Sequence, residues 1–208
     1  IGGDRELLES CKDGGIPFVI QNTAPQVTFM PDLAVFDIPC RFSTIDEVRE
    51  KVDDPEFYGL LEDVYENGGY NLLGYADQGF RVMSTNKMVE SLADFKGQKI
   101  RTMENPNHIA YWQALGANPT PADFSELYMS LEQGTLDAQE NPYDLIVANK
   151  LYEPQAYVIE TNHLLHTLNM VGSKATYDAL PADIQQLVSE CAAEAHQYAR
   201  QMADERIE

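Results

Sequence analysis

The chain has 208 residues, 44% apolar and 23% charged, enough for one large domain or two small ones around an ordinary core. Its 34 acidic and 14 basic side chains give a net charge of −20, which argues against nucleic acid and anionic membrane surfaces as partners, since both demand basic patches. No run of 18 apolar residues reads as a membrane span, and Cys11, Cys40 and Cys191 are too few, too scattered and too odd in number for a fully paired framework. The thiols read as small apolar fillers. Ile1 is preceded by no methionine or leader, and Glu208 falls inside a helical pattern, so both ends are expected to be cuts in a longer protein.

In chain order, Asp4 to Lys12 reads as a helix with Leu7, Leu8 and Cys11 on one face, stopped by Gly14-Gly15. IPFVIQN follows as a strand, and LAVFDI between Pro31 and Pro39 as a short strand or loop. Thr44 to Val52 opens with a capping-box spacing, Thr44 to Glu47, and Pro55 to Asn67 opens with proline in its first turn. YNLLGYA, GFRVMST and QKIRTM read as strands. Pro106 to Leu115 and Asp123 to Gln133 read as helices, the second capped by Asp123 and ended by Gly134. DAQENP reads as a turn, Tyr143 to Lys150 as a helix, and AYVIET and LLHTLNMVGS as strands. Pro181 to Glu208 is expected to be one long helix with Ile184, Leu187, Val188, Cys191, Ala195, Tyr198 and Met202 as its apolar stripe. Strands alternate with helices, so the fold class is α/β.

Signatures of metalloprotease, nucleophile-elbow, P-loop and dinucleotide sites are all missing, so no cofactor and no metal site is expected. His163 and His166, three apart in a strand-like run, would point to opposite faces. His163 reads as a hydrogen-bonding group beside a pocket or in the core, and His108 in NPNH as a surface or cap residue. Asp137 and Glu140 could form a carboxylate pair for glycosidic chemistry, but capping or pairing with a buried arginine is the plainer use. Arg81 and Arg101 lie in apolar strand-like segments of an acidic chain. A guanidinium fork matches a carboxylate in two parallel, charge-assisted hydrogen bonds. An edge arginine with its head in water is the ordinary alternative. Asn141 before Pro142 would ordinarily cap a helix, and Phe124 would ordinarily be core.

Taken together, LADFKGQKIRTM, LGANPTPADFSELY, LEQGTLDAQENP, YEPQAY and TNH resemble, in order, the signature region of TRAP transporter solute-binding proteins of the dicarboxylate-binding (DctP) type. The spacings of 20 residues from Arg81 to Arg101 and 40 from Arg101 to Asn141 fit that pattern. IGGDRELLESCK and LPADIQQLVSECAAEA extend the resemblance over most of the chain. Three positions depart from it. Ala138 stands where the family has glycine, Gln155-Ala156-Tyr157 replace a lysine-bearing segment, and Cys40-Arg41 replace an apolar pair.

The resemblance implies a two-lobed α/β binding protein of the periplasmic type, lacking its flanks, with ligand in a central cleft. Lobe I would hold residues 1–77 and 168–208, and lobe II residues 78–167. Arg101 resembles the family's principal carboxylate-binding arginine, and Arg81 a second, more variable one. Asn141 resembles the asparagine beside them and Phe124 an apolar wall, with Asn105 and His163 as neighbouring polar groups. The protein would not be an enzyme. It would capture a small organic acid, a sugar acid or C4-dicarboxylate, outside the cytoplasmic membrane and deliver it to integral membrane permease subunits. A ligand-sensing receptor domain, or a sugar-acid enzyme using Asp137 and Glu140, are the alternatives.

Overall fold

The computed structural model describes residues 2–207, and it divides into two compact units. One comprises Ile1–Phe36, Ser43–Gln78 and Thr167–Glu208, and the other Asp37–Phe42 and Gly79–His166. The sequence-based division placed residues 37–42 with the first group. They lie with the second because Asp37 accepts a hydrogen bond from Asn105 Nδ2 at 2.9 Å and the Cys40 N–H donates to His163 O at 2.7 Å.

The first unit is built on a three-stranded sheet in the order β1 (Phe18–Asn22), β8 (Leu165–Ser173), β2 (Tyr70–Phe80), with β1 antiparallel to β8. Helix α1 (Asp4–Lys12) buries Leu8 and Cys11 completely. Burial pushes the Cys11 thiol up to about 11, as suits a filler rather than a reactive group. Helix α2 (Ile45–Val52) starts on the expected capping box: Thr44 Oγ1 accepts from the Glu47 N–H at 3.3 Å, and the Glu47 carboxylate accepts from the backbone of Ser43 and Thr44. Helix α3 (Pro55–Gly68) starts at Asp54, whose carboxylate accepts from the N–H groups of Glu56 and Phe57, and ends at Gly69 with φ +93°, a conformation a Cβ would resist. Asp54→Ala is expected to cost about 1 kcal/mol, read by urea denaturation; an unchanged midpoint would show that the cap contributes nothing.

After α7 (Lys174–Asp178), helix α8 (Ala182–Ile207) runs as expected, except that Glu208 lies outside the described residues. Its buried face is not the expected stripe. Leu187 and Tyr198 are 53% and 62% exposed, while Ala192 and Ala203 are buried, one position along. Polar anchors fix that rotation. Arg200 pairs with Asp53 and donates to Tyr75 O, and Arg49 of α2 reaches both Asp77 and Asp204. His196 closes against Gly74, where a Cβ would come within 2.7 Å of the ring.

The second unit holds a five-stranded sheet in the order β5 (Asn118–Pro121), β4 (Lys99–Thr102), β6 (Ala138–Asn141), β3 (Val82–Thr85), β7 (Tyr157–Ile159). Strand β3 is antiparallel to β6 and β7, and β4 is parallel to β5 and β6. The expected turn DAQENP is thus the middle strand. Ala138, which stands where the family has glycine, sits fully buried in it without a positive φ. Side chains alternate across the sheet. Ala138, Met83 and Ile100 face Trp112 of α4 (Pro106–Ala114), while Val82 faces Leu127 and Leu131 of α5 (Leu127–Glu132) and Ile146 of α6 (Tyr143–Ala148). The expected helix from Asp123 begins instead as a 3-10 turn, Phe124–Glu126, and Asp123 makes no side-chain cap.

Candidate functional site

Register decides which face each polar side chain occupies. Met83 pairs with Glu140, Val82 with Asn141, Ser84 with Gln139, and Ile100 with Ala138. Glu140 therefore projects toward α4, whereas Arg101, Gln139 and Asn141 share the opposite face. Arg81 belongs to neither strand. It occupies the single residue between β2 and β3, held by its N–H bond to Leu164 O at 2.8 Å.

Glu140 is the hub of the α4 side. It is fully buried and takes Arg81 in a bidentate pair, Nε to Oε2 and Nη2 to Oε1, the latter at 2.9 Å. Its Oε2 also meets His163 Nε2 at 3.0 Å, and His108 Nδ1 lies 3.6 Å from Oε1. Arg81 spends Nη1 on His166 Nδ1 and Nη2 additionally on Asn141 Oδ1 at 3.2 Å. Asn141 Nδ2 passes the chain on to Gln139 Oε1, and Gln139 Nε2 to Ser84 Oγ at 2.8 Å. From the other side, His108 Nε2 meets Asp37 Oδ1 at 2.8 Å, and Asp37 Oδ2 accepts from Asn105. Asn105 Oδ1 meanwhile caps α4 through the N–H groups of Asn107 and His108.

Burial disfavours the Glu140 carboxylate, but Arg81 and the two imidazoles outweigh it and hold the group well below the usual carboxylate range. His166 is pushed well below the ordinary imidazole range by burial and by Arg81. Burial also lowers His163, more than Glu140 raises it. For His108 the balance reverses: burial pulls it down, and Asp37 and Glu140 together lift it above its usual value.

Below about pH 6.5 the unfolded chain takes up protons that folded His163 and His166 refuse, so their contribution to stability falls as pH drops through their lowered values. His108 acts oppositely: its contribution is complete below about pH 6.5 and is lost as pH rises through its raised folded value. The unfolding free energy should therefore peak near neutrality and fall toward pH 5 at up to about 1.4 kcal/mol per pH unit for each excess proton. Urea denaturation between pH 5 and 8 checks this, and His166→Gln should flatten the acid limb. A stability that rises steadily from pH 6.5 to 5 would contradict it.

The other face carries Arg101, 2% exposed. Its Nε donates to Ala122 O at 2.8 Å, and its guanidinium carbon stands 5.9 Å from the centre of the Phe124 ring, a cation–π distance. Phe124 packs in turn on the cluster of Val82 and Leu127.

The six expected site residues thus fall into two groups. Arg81 and His163 meet on Glu140, with Asn141 attached through Arg81 and Asn105 through Asp37 and His108; Arg101 and Phe124 form a pair of their own. Asn141 joins the groups, because it bonds Arg81 while lying on the Arg101 face. Glu140 pairs with a buried arginine, the plainer of its two expected uses, and Asp137 accepts from Lys87 Nζ and the Lys99 N–H. Burial raises Asp137, yet the Lys99 N–H and Lys87 outweigh it and lower it overall.

Two histidines differ from expectation. His108 is not at the surface but 1% exposed, and His163 does not oppose His166 across a strand, because β8 begins only at Leu165. Asp37 and His166 were not foreseen as cluster members. The available signal was a single titratable residue in each of two largely apolar runs, Asp37 in LAVFDI and His166 in LLHTLNMVGS.

No group of three or more His, Cys, Asp or Glu among the described residues is arranged to hold a metal ion, and no described helix is long and apolar enough to cross a membrane.

A family model described as bacterial extracellular solute-binding protein, family 7 (DctP) matches residues 1–208. A solute-binding protein of Verminephrobacter eiseniae is 34% identical over 206 residues, covering 99% of this chain and 61% of the relative. The C4-dicarboxylate-binding periplasmic protein DctP of Rhodobacter capsulatus is 32% identical over 99% of the chain and 62% of its own length. Among solved structures, a TRAP periplasmic solute-binding protein from Bradyrhizobium sp. in complex with α/β-D-galacturonate superposes with a TM-score of 0.94 at 32% identity, covering 99% of this chain and 68% of that one. The chain spans about three-fifths of the length of the curated relatives it matches.

Proposed function

Because the chain belongs to the bacterial extracellular solute-binding protein family 7 (DctP), whose members are substrate-binding proteins of TRAP transporters and not enzymes, we propose that it captures a small organic acid outside the cytoplasmic membrane and delivers it to membrane permease subunits. Sugar acids and C4-dicarboxylates are the ligand classes, by analogy with the galacturonate- and dicarboxylate-binding relatives.

The observation that carries this reading is Arg101, a guanidinium on the same buried sheet face as Asn141, with its plane set by Ala122 O and by the Phe124 ring. A fork so fixed loses little side-chain freedom on meeting a carboxylate, and its two parallel donors match the two oxygens. Phe124 supplies an apolar wall for the carbon skeleton, and Asn141 a polar neighbour. Arg81 serves differently: its donors are engaged by Glu140, His166 and Asn141, so it orients Asn141 rather than taking the acid itself. His163 and Asn105 support that arrangement through Glu140 and Asp37.

Isothermal calorimetry with succinate, D-galacturonate and neutral galactose tests the reading. One-to-one binding of an acid and none of the neutral sugar is expected. Binding galactose as tightly as galacturonate would overturn the carboxylate basis.

A further inference from the structure

We propose that His108 is a positioning residue: an imidazolium bridging Asp37 and Glu140 whose charge keeps the Glu140 carboxylate ionised and seated for Arg81 and His163. This deepens the solute-binding reading and, where it reaches ligand affinity, rests on it, since Glu140 places Arg81 and Arg81 places Asn141.

The geometry argues for the charged ring. Nε2 bonds Asp37 Oδ1 at 2.8 Å, while Nδ1 makes no hydrogen bond but lies at an ion-pair distance of 3.6 Å from Glu140 Oε1, so both ring nitrogens face carboxylate oxygens, which only accept. A neutral ring would turn a lone pair toward one of them. Charge balance argues likewise. The charged and titratable groups around the ring are Asp37 from the 3-10 helix Pro31–Asp37, Glu140 from β6, Arg81 from the β2–β3 junction, His163 from the segment before β8, and His166 from the start of β8. With His163 and His166 neutral, two buried carboxylates are matched by Arg81 and by His108 alone. A neutral His108 would leave one buried negative charge over, a costly state that the cluster relieves by protonating another imidazole.

His163 is the group placed to take that proton: its Nε2 already donates to Glu140 at 3.0 Å, and its Nδ1, the atom that would receive the proton, lies 2.9 Å from Thr161 Oγ1, a hydroxyl that can turn to accept. The proton count of the cluster is then shared between His108 and His163 through one carboxylate. A histidine that merely filled space would not move its neighbour's titration.

The test is a pH titration of the imidazole nitrogens by NMR in the ¹⁵N-histidine-labelled protein, with Asp37→Asn and His108→Gln beside the wild type. The expected result is a doubly protonated His108 that persists above pH 6.5, a titration lowered by about 1–3 units in Asp37→Asn, and a His163 titration moved upward in His108→Gln. A wild-type His108 that is neutral at pH 6 would overturn the proposal without any variant, as would a His163 titration indifferent to His108→Gln. Calorimetry with D-galacturonate or succinate adds the functional arm: affinity should weaken as pH rises through the His108 titration in the wild type and lose that dependence in His108→Gln. The same pH profile in both would remove the role in binding. A wild type that binds no acid at any pH would count against the solute-binding reading, while the imidazole spectra would still decide the charge of His108.

Discussion

Glu140→Gln should destabilise the protein by about 3–5 kcal/mol, the cost of leaving a buried guanidinium without its counter-charge. Glu140 is fully buried and Arg81 is 1% exposed, so neither can recover its loss from water. The amide keeps the shape but supplies one acceptor where the carboxylate supplies two, and it carries no charge to offset Arg81 and His108. Three elements loosen together, because Glu140 ties the β2–β3 junction, α4 and the segment before β8. Urea denaturation at pH 7 measures the effect. Arg81→Met combined with Glu140→Met should recover much of the loss, since removing both charges leaves nothing uncompensated. A loss below about 1 kcal/mol for Glu140→Gln, the size of an exposed pair, would show that the cluster is not sealed as described.

Arg101→Ala should weaken acid binding by about 2–5 kcal/mol, the range for truncating one partner of a buried, hydrogen-bonded charge pair. On the Kd scale that is roughly 30-fold or more. Arg101→Lys should retain part of the affinity at best, because an ammonium cannot reproduce two parallel donors or stack its plane on Phe124. The effect on stability is a separate quantity, because Arg101 is buried and its Nε also bonds the carbonyl of Ala122. Calorimetry and denaturation on the same preparations separate the two effects. Equal Kd values for wild type and Arg101→Ala would remove Arg101 from the site.

Much of the fold was readable from local chemistry. Thr44 with Glu47, and Pro55, mark helix starts by chemistry within one turn, and the structure places those starts there. The α/β class and the family resemblance also hold. Strand β6 was hidden because its residues Gln139, Glu140 and Asn141 are polar, and hydrophobic periodicity cannot report a strand buried through side-chain hydrogen bonds. For α8, the apolar pattern allowed two neighbouring faces. The choice fell to Arg200, Arg49 and His196, whose partners are distant in sequence. The site divides in the same way. The strand position of Arg101 followed from its motif and its proposed role from the resemblance, whereas the pairing of Arg81 with Glu140 and the bridge from Asp37 through His108 depend on tertiary register that spacing does not encode.

The most direct test of the central claim is a crystal structure of the protein with a bound acid, D-galacturonate or succinate. Capture by the proposed fork places a carboxylate within hydrogen-bonding distance of the Arg101 guanidinium, with Asn141 alongside, Phe124 against the carbon chain and Arg81 still paired with Glu140. An acid seated elsewhere, with no contact to Arg101, would contradict the account.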